Sequence, residues 1–84
     1  MNDRSHTVDL VGWERFSTAH QVGDVIEVDV VRVAPFGCFV RADEGVDGLA
    51  PGDSWPTLPR LGDRIRVRIA AVDDRAARFS VTPA

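Results

Sequence analysis

The sequence has one cysteine, no lysine, no excess of positive charge and no long apolar run, and each shortage closes off a class of chemistry. Cys38 has no partner for an internal disulfide and no second thiol with which to start a zinc cluster. No segment approaches the roughly 18 uninterrupted apolar residues of a membrane span, and Met1 to Asp9 are polar rather than a secretory apolar core. These two features point to a cytoplasmic chain with no membrane partner. His6 and His20 lie outside the strands predicted below, remote from each other and without a metal-ligand partner. No nucleophile has a base and an orienting group in prospect, and phosphate-binding glycine loops and paired-cysteine motifs are missing. The expectation is a non-enzymatic protein with no metal and no cofactor.

The charge balance is mildly acidic, with 13 Asp and Glu against 10 basic residues. That excludes recognition by bulk positive charge, so any contact with a polyanion has to be built locally. All the basic residues are arginine, which offers a planar, stackable, bidentate donor set that lysine lacks. GC-rich codon usage would leave the same signature.

Eighty-four residues suffice for one domain. A chain this short buries only about 60 to 65% of the surface its unfolded form exposes, so the stability margin is modest. From Thr7 to His20, Leu10, Trp13 and Phe16 recur near a three-residue spacing with Glu14 and Arg15 opposite, which predicts a short amphipathic helix. Asp9 or Thr7 would cap it and Gly23 would end it, while Gly12 weakens it by roughly 1 kcal/mol relative to alanine. Trp13 and Phe16 are expected to cover an open end of the following domain, with docking on a protein partner as the other use. Residues 1–21 thus form a tail and helix, and 22–84 a β domain.

After Gly23 the chain turns to β-branched residues, and Asp24 to Val33 reads as a long strand. Ile26, Val28 and Val30 alternate before Val31 and Val33 take over, a one-residue slip that predicts a bulge. Phe36 to Ala42 forms a second strand, Asp43-Glu44-Gly45 a turn, and Val46 to Ala50 a third strand. The Pro51 to Pro59 stretch is a restricted loop around Trp55. Ile65, Val67 and Ile69 then alternate with Arg64, Arg66 and Arg68, and a turn at Asp73-Asp74-Arg75 leads to a strand with Phe79 and Val81 inward. Five short strands with no second hydrophobic layer favour closure into an antiparallel barrel.

Pro35-Phe36-Gly37-Cys38-Phe39-Val40 carries the functional reading. By the two-residue period Phe36 would share the interior face of Cys38 and Val40. Gly37 can absorb a bend there, turning Phe36 outward beside Phe39 and Arg41. Two aromatic rings and a guanidinium on one exposed face make a stacking platform for single-stranded nucleic acid. The reading in which both rings are simply core competes with this one. Cys38 points inward as a small, inert core residue.

Five fragments then occur in a telling order: Val22-Gly23-Asp24, Phe36-Gly37-Cys38-Phe39-Val40, Val46-Asp47-Gly48-Leu49, Leu61-Gly62-Asp63, and Val72-Asp73 with Arg78-Phe79-Ser80-Val81. Together they resemble the S1-type RNA-binding domain over Val22 to Thr82. Trp13-Glu14-Arg15-Phe16 resembles the short helical linker that precedes such domains in ribosomal protein arrays. The resemblance implies a five-stranded antiparallel OB-fold barrel and an RNA surface of two aromatics, a histidine, an aspartate and an arginine. Carried over, these are Phe36, Phe39, Asp73 (or Asp74, if the turn is one residue longer) and Arg78. The histidine has no counterpart: Pro51 stands in its place, and Val28 stands where the family commonly has glycine. Trp55 either stacks on a base in the histidine's stead or anchors the shortened loop.

Two functions follow. The first is a non-catalytic module for single-stranded RNA, with single-stranded DNA as the other candidate, of low sequence specificity and weak affinity, associated with the ribosome or RNA metabolism. The second is an adaptor that docks the barrel on a ribosome, polymerase or nuclease, motivated by the acidic charge and the missing histidine. Arg64, Arg66 and Arg68 form either a phosphate-tracking stripe or only a solvated strand face. Asp43 and Asp47 are expected to be satisfied by local backbone donors, and His20 to be solvated.

Overall fold

The valine-rich run after Gly23 becomes β1 (Val25–Ala34), which a two-residue turn joins to β2 (Gly37–Arg41). The computed structural model describes residues 10–84, so His6 and the proposed caps Thr7 and Asp9 lie outside the described residues. β3 (Asp47–Pro51), a single 3-10 turn (Gly52–Ser54), β4 (Arg64–Asp73) and β5 (Arg78–Pro83) follow, after a helix α1 (Leu10–Ala19).

The strands close in the order β1-β2-β3-β5-β4, with β4 returning to β1. Four of the five ladders are antiparallel; β3 and β5 run parallel. Parity requires this, because an odd number of strands cannot alternate direction all the way around a closed ring. Barrel closure gives every strand a partner on both sides over part of its length.

Strong local twist lets so few strands close, and two register shifts supply it. One falls between Val30 and Arg32, where the slip in valine alternation predicts a bulge. The other, between Ile69 and Ala71 on β4, has no comparable mark in the sequence. Past the first bulge Val33 does not turn inward as expected but stays 45% exposed. The cause is topological: β4 pairs with β1 only as far as Asp29, so the end of β1 has a neighbour on one side alone.

The interior is filled by Val28 and Val30 from β1, Cys38 and Val40 from β2, Ala50, Val67, Ile69, Phe79 and Val81. Helix α1 closes one end. Phe16 is fully buried and stacks on Phe79 at 4.5 Å between centroids, and Trp13 stacks on Phe16 at 5.5 Å. The Trp13 indole N–H donates to Asp74 Oδ1 at 3.1 Å, tying the helix to the β4–β5 turn. His20 is not solvated but meets Glu44 at 3.1 Å and the Phe16 ring at 4.9 Å.

Leu10, expected on the buried stripe, is 70% exposed. Gly12 joins Trp13 and Phe16 on the buried face instead, so the contact is two aromatics wide rather than three turns long. The helix stops at Ala19, before Gly23, because a turn held by Asp24 begins at Gln21: the Gln21 N–H donates to the Asp24 carboxylate at 3.0 Å. Among the described residues no helix is long and apolar enough to cross a membrane.

At Gly48 the backbone lies directly against an aromatic ring. A Cβ added there would stand 2.5 Å from the Phe79 ring, which is itself wedged against Phe16. Gly48→Ala should therefore cost about 1 to 3 kcal/mol of stability through overpacking. Urea denaturation followed by tryptophan fluorescence would register it as a lower midpoint with an unchanged slope.

Candidate nucleic-acid interface

The outward position of Phe36 is a product of the β1–β2 hairpin. Ala34 pairs with Gly37, leaving Pro35 and Phe36 as the two turn residues, so β2 begins one residue later than the expected Phe36–Ala42. Gly37 takes a positive φ of 155° while lying against β3, where a Cβ would stand 2.4 Å from the Ala50 carbonyl oxygen. Only glycine permits this approach. The Gly52 N–H then donates to the Phe36 carbonyl at 2.9 Å, fixing the turn from the other side.

Phe36 is 61% exposed and meets the half-buried Phe39 edge-on, with centroids 6.0 Å apart at 89°. An edge-to-face contact of this kind sets the two rings at a right angle and leaves the Phe36 ring open to solvent. The Arg32 guanidinium lies 5.7 Å from the Phe39 centroid, a cation–π distance. These residues, with Arg41, Asp47, Leu49 and Arg78, line an open cleft of about 690 Å³ floored by Gly48 and Phe79.

Four of the six residues singled out in the sequence thus come together: Phe36, Phe39, Arg41 and Arg78. Asp73 does not line the cleft; its Oδ1 accepts the N–H groups of Arg75 (3.1 Å) and Ala76 (3.2 Å) and so shapes the β4–β5 turn. Trp55 is half-buried against the barrel core, also away from the cleft. Pro51, in the place of the family histidine, ends β3 opposite Gly37.

Arg32 and Asp47 are the residues that reading the sequence missed. The bulge before Arg32 sets it opposite Phe39, a consequence of register that alternation alone cannot deliver. For Asp47 the turn-rich sequence predicts local backbone donors. Asp47 instead accepts Arg41 Nε at 2.7 Å and Nη2 at 3.2 Å, a two-pronged pair that holds the guanidinium charged. Asp43 likewise pairs with an arginine, Arg64 Nη2, at 3.1 Å.

The arginines of β4 are engaged elsewhere. Arg64 also reaches Glu27 at 3.3 Å and Asp29 at 3.2 Å. Arg66 stands opposite Glu27 in the ladder, and Arg68 donates to the Gly23 carbonyl at 2.9 Å. Exposed pairs of this kind add little stability, but they offset the positive charge a phosphate track would need. Cys38 is buried, and burial pushes its thiol pKa up.

A closed five-stranded barrel with an aromatic and arginine-lined cleft across β1, β2, β3 and β5 is an OB-type barrel. The family model described as "S1 RNA binding domain" matches residues 19–82, and the chain belongs to that family. It is 40% identical over 78 residues to the small ribosomal subunit protein bS1 of Mycobacterium leprae, covering 83% of this chain and 16% of that protein. It is 35% identical over 71 residues to the polyribonucleotide nucleotidyltransferase of Deinococcus radiodurans, covering 75% of this chain and 9% of that one. The chain therefore spans less than a fifth of these relatives' lengths. Among solved structures, GSP13 from Bacillus subtilis superposes with a TM-score of 0.67 at 25% identity, over 75% of this chain and 55% of that one. RNase R of Mycoplasma genitalium, in complex with ribose-methylated single-stranded RNA, superposes with a TM-score of 0.68 at 20% identity, over 90% of this chain and 15% of that one.

Gly37→Ala should lower stability by about 2 kcal/mol, because the Ala50 carbonyl cannot retreat without opening the β2–β3 ladder. The same variant should lose the ring-current shifts that Phe36 and Phe39 impose on each other in proton NMR.

Proposed function

We propose that this domain binds single-stranded RNA without catalysing a reaction, with low overall sequence specificity and weak, salt-sensitive affinity. The observation that carries the proposal is the edge-on Phe36–Phe39 pair, presented to solvent by Gly37 and bracketed by Arg32 and Arg78. Every base has a π-face, and stacking on an aromatic side chain is worth about 1 to 3 kcal/mol per base. Membership of the S1 RNA-binding family supports the same reading, as do relatives named as a ribosomal subunit protein and a polyribonucleotide nucleotidyltransferase. On this account the domain works in the cytoplasm, beside the ribosome or RNA-processing proteins.

Weakness follows from charge. The chain carries a net −3, Arg41 is already paired to Asp47, and Pro51 brings no polar side chain. Among the described residues of the cleft, Arg32 and Arg78 are the arginines left without an acidic partner to displace counterions, which sets a slope of about −1.4 in log K against log salt for a single strand. Fluorescence anisotropy with labelled oligoribonucleotides should thus show binding that weakens about sevenfold between 50 and 200 mM salt. The Phe36→Ala/Phe39→Ala double variant should bind at least tenfold more weakly while keeping its far-UV circular dichroism. Undetectable binding by the unaltered domain at high micromolar concentration and low salt would refute the proposal.

A further inference from the structure

Across the barrel, the row of side chains next to the stacking row alternates in charge. Phe39 of β2 pairs with Leu49 of β3, and two residues along the same face Arg41 pairs with Asp47. A carboxylate bound at two points to a guanidinium is a poor partner for a phosphate, which it repels. It is a good partner for a base edge that donates to oxygen on one side and accepts from nitrogen on the other. Arg41 uses Nε and one N–H of Nη2 on Asp47, which leaves the second Nη2 N–H, next to Oδ2, for such an acceptor.

We infer that the Arg41–Asp47 pair reads the Watson–Crick edge of a base stacked at Phe39, and that the Asp47 carboxylate selects cytosine against uracil at that position. The inference rests on the RNA-binding function proposed above and names the base it prefers. Reach is consistent with it: successive outward residues on a strand stand about 6.7 Å apart. An exocyclic amine nitrogen lies about 2.7 Å from its ring centre, and its hydrogen bond adds about 3 Å.

The chemistry of the two pyrimidines decides the preference. Cytosine can give N4–H to Asp47 while its N3 accepts from Arg41. Uracil presents the reverse polarity, with the O4 lone pairs facing the carboxylate and the N3–H facing the guanidinium. Both bases have a single six-membered ring and the same backbone charge, so stacking and phosphate terms nearly cancel in the ratio of their affinities. Arg32 and Arg78, on either side of the pair, remain for the flanking phosphates.

The test is anisotropy titration of oligo(C) and oligo(U) of about ten nucleotides at pH 7.5, with the unaltered domain, Asp47→Asn and Asp47→Ala. The unaltered domain should bind oligo(C) about fivefold or more tighter than oligo(U). Both variants should bring the two affinities within about twofold of each other, because an alanine offers nothing to either base and an asparagine amide can turn to suit both. Asp47 is exposed, and circular dichroism and urea midpoints would verify that the variants fold. Equal binding of the two oligomers by the unaltered domain would overturn the inference and leave RNA binding standing. So would an Asp47→Asn variant that binds both more tightly with the ratio unchanged, which would make Asp47 only a repeller of phosphate. Failure of both oligomers to bind would overturn the RNA-binding reading itself.

Discussion

Phe79 lying flat against Gly48 is the contact on which the rest of the molecule depends. It sits on the β3–β5 ladder, the one parallel pairing in the closed ring. One face of the Phe79 ring receives Phe16, so the helix docks on a residue of that ladder. The same residue helps floor the cleft. A side chain at position 48 would push β5 away from β3, and with it the helix seat and the position of Arg78. Closure, capping and cleft are thus mechanically coupled through one glycine and one phenylalanine.

Charge is arranged around the barrel rather than pooled. From β4 through β1 and β2 to β3 the outward row runs Arg64, Asp29, Arg41, Asp47, alternating in sign across register partners. On the parallel ladder, Asp47 and Arg78 each stand one step before the Gly48–Phe79 partners, which carries the alternation onto β5. An alternating row has little long-range field, in keeping with a protein of net −3. On the proposed function, short-range recognition of donor and acceptor patterns supplies the discrimination and the exposed aromatic pair the affinity.

Much of this was legible in the residues, and the limits have physical causes. The Gly37 bend, the inward Cys38, the β1 bulge and the aromatic cap from Trp13 and Phe16 all follow from local rules of alternation and backbone freedom. Arg32 and Asp47 did not, because each acquires its neighbour across strands: Arg32 faces Phe39 only once the bulge has set the register, and Asp47 meets Arg41 only when β2 and β3 pair. For the arginines of β4 the sequence leaves a phosphate stripe and a solvated face both open, because their acidic partners on β1 are out of view. The parallel ladder is likewise a property of the closed ring and not of any segment.

The central claim is that nucleic acid lies on the Phe36–Phe39 face and nowhere else on the barrel. An amide chemical-shift titration of the domain with a short single-stranded RNA tests it most directly. The largest shifts should fall on Arg32, Phe36, Phe39, Arg41, Leu49 and Arg78, with Glu27, Arg66 and the helix unmoved. Shifts concentrated instead on α1 or on the β1–β4 face of Glu27, Arg64 and Arg66 would contradict the account.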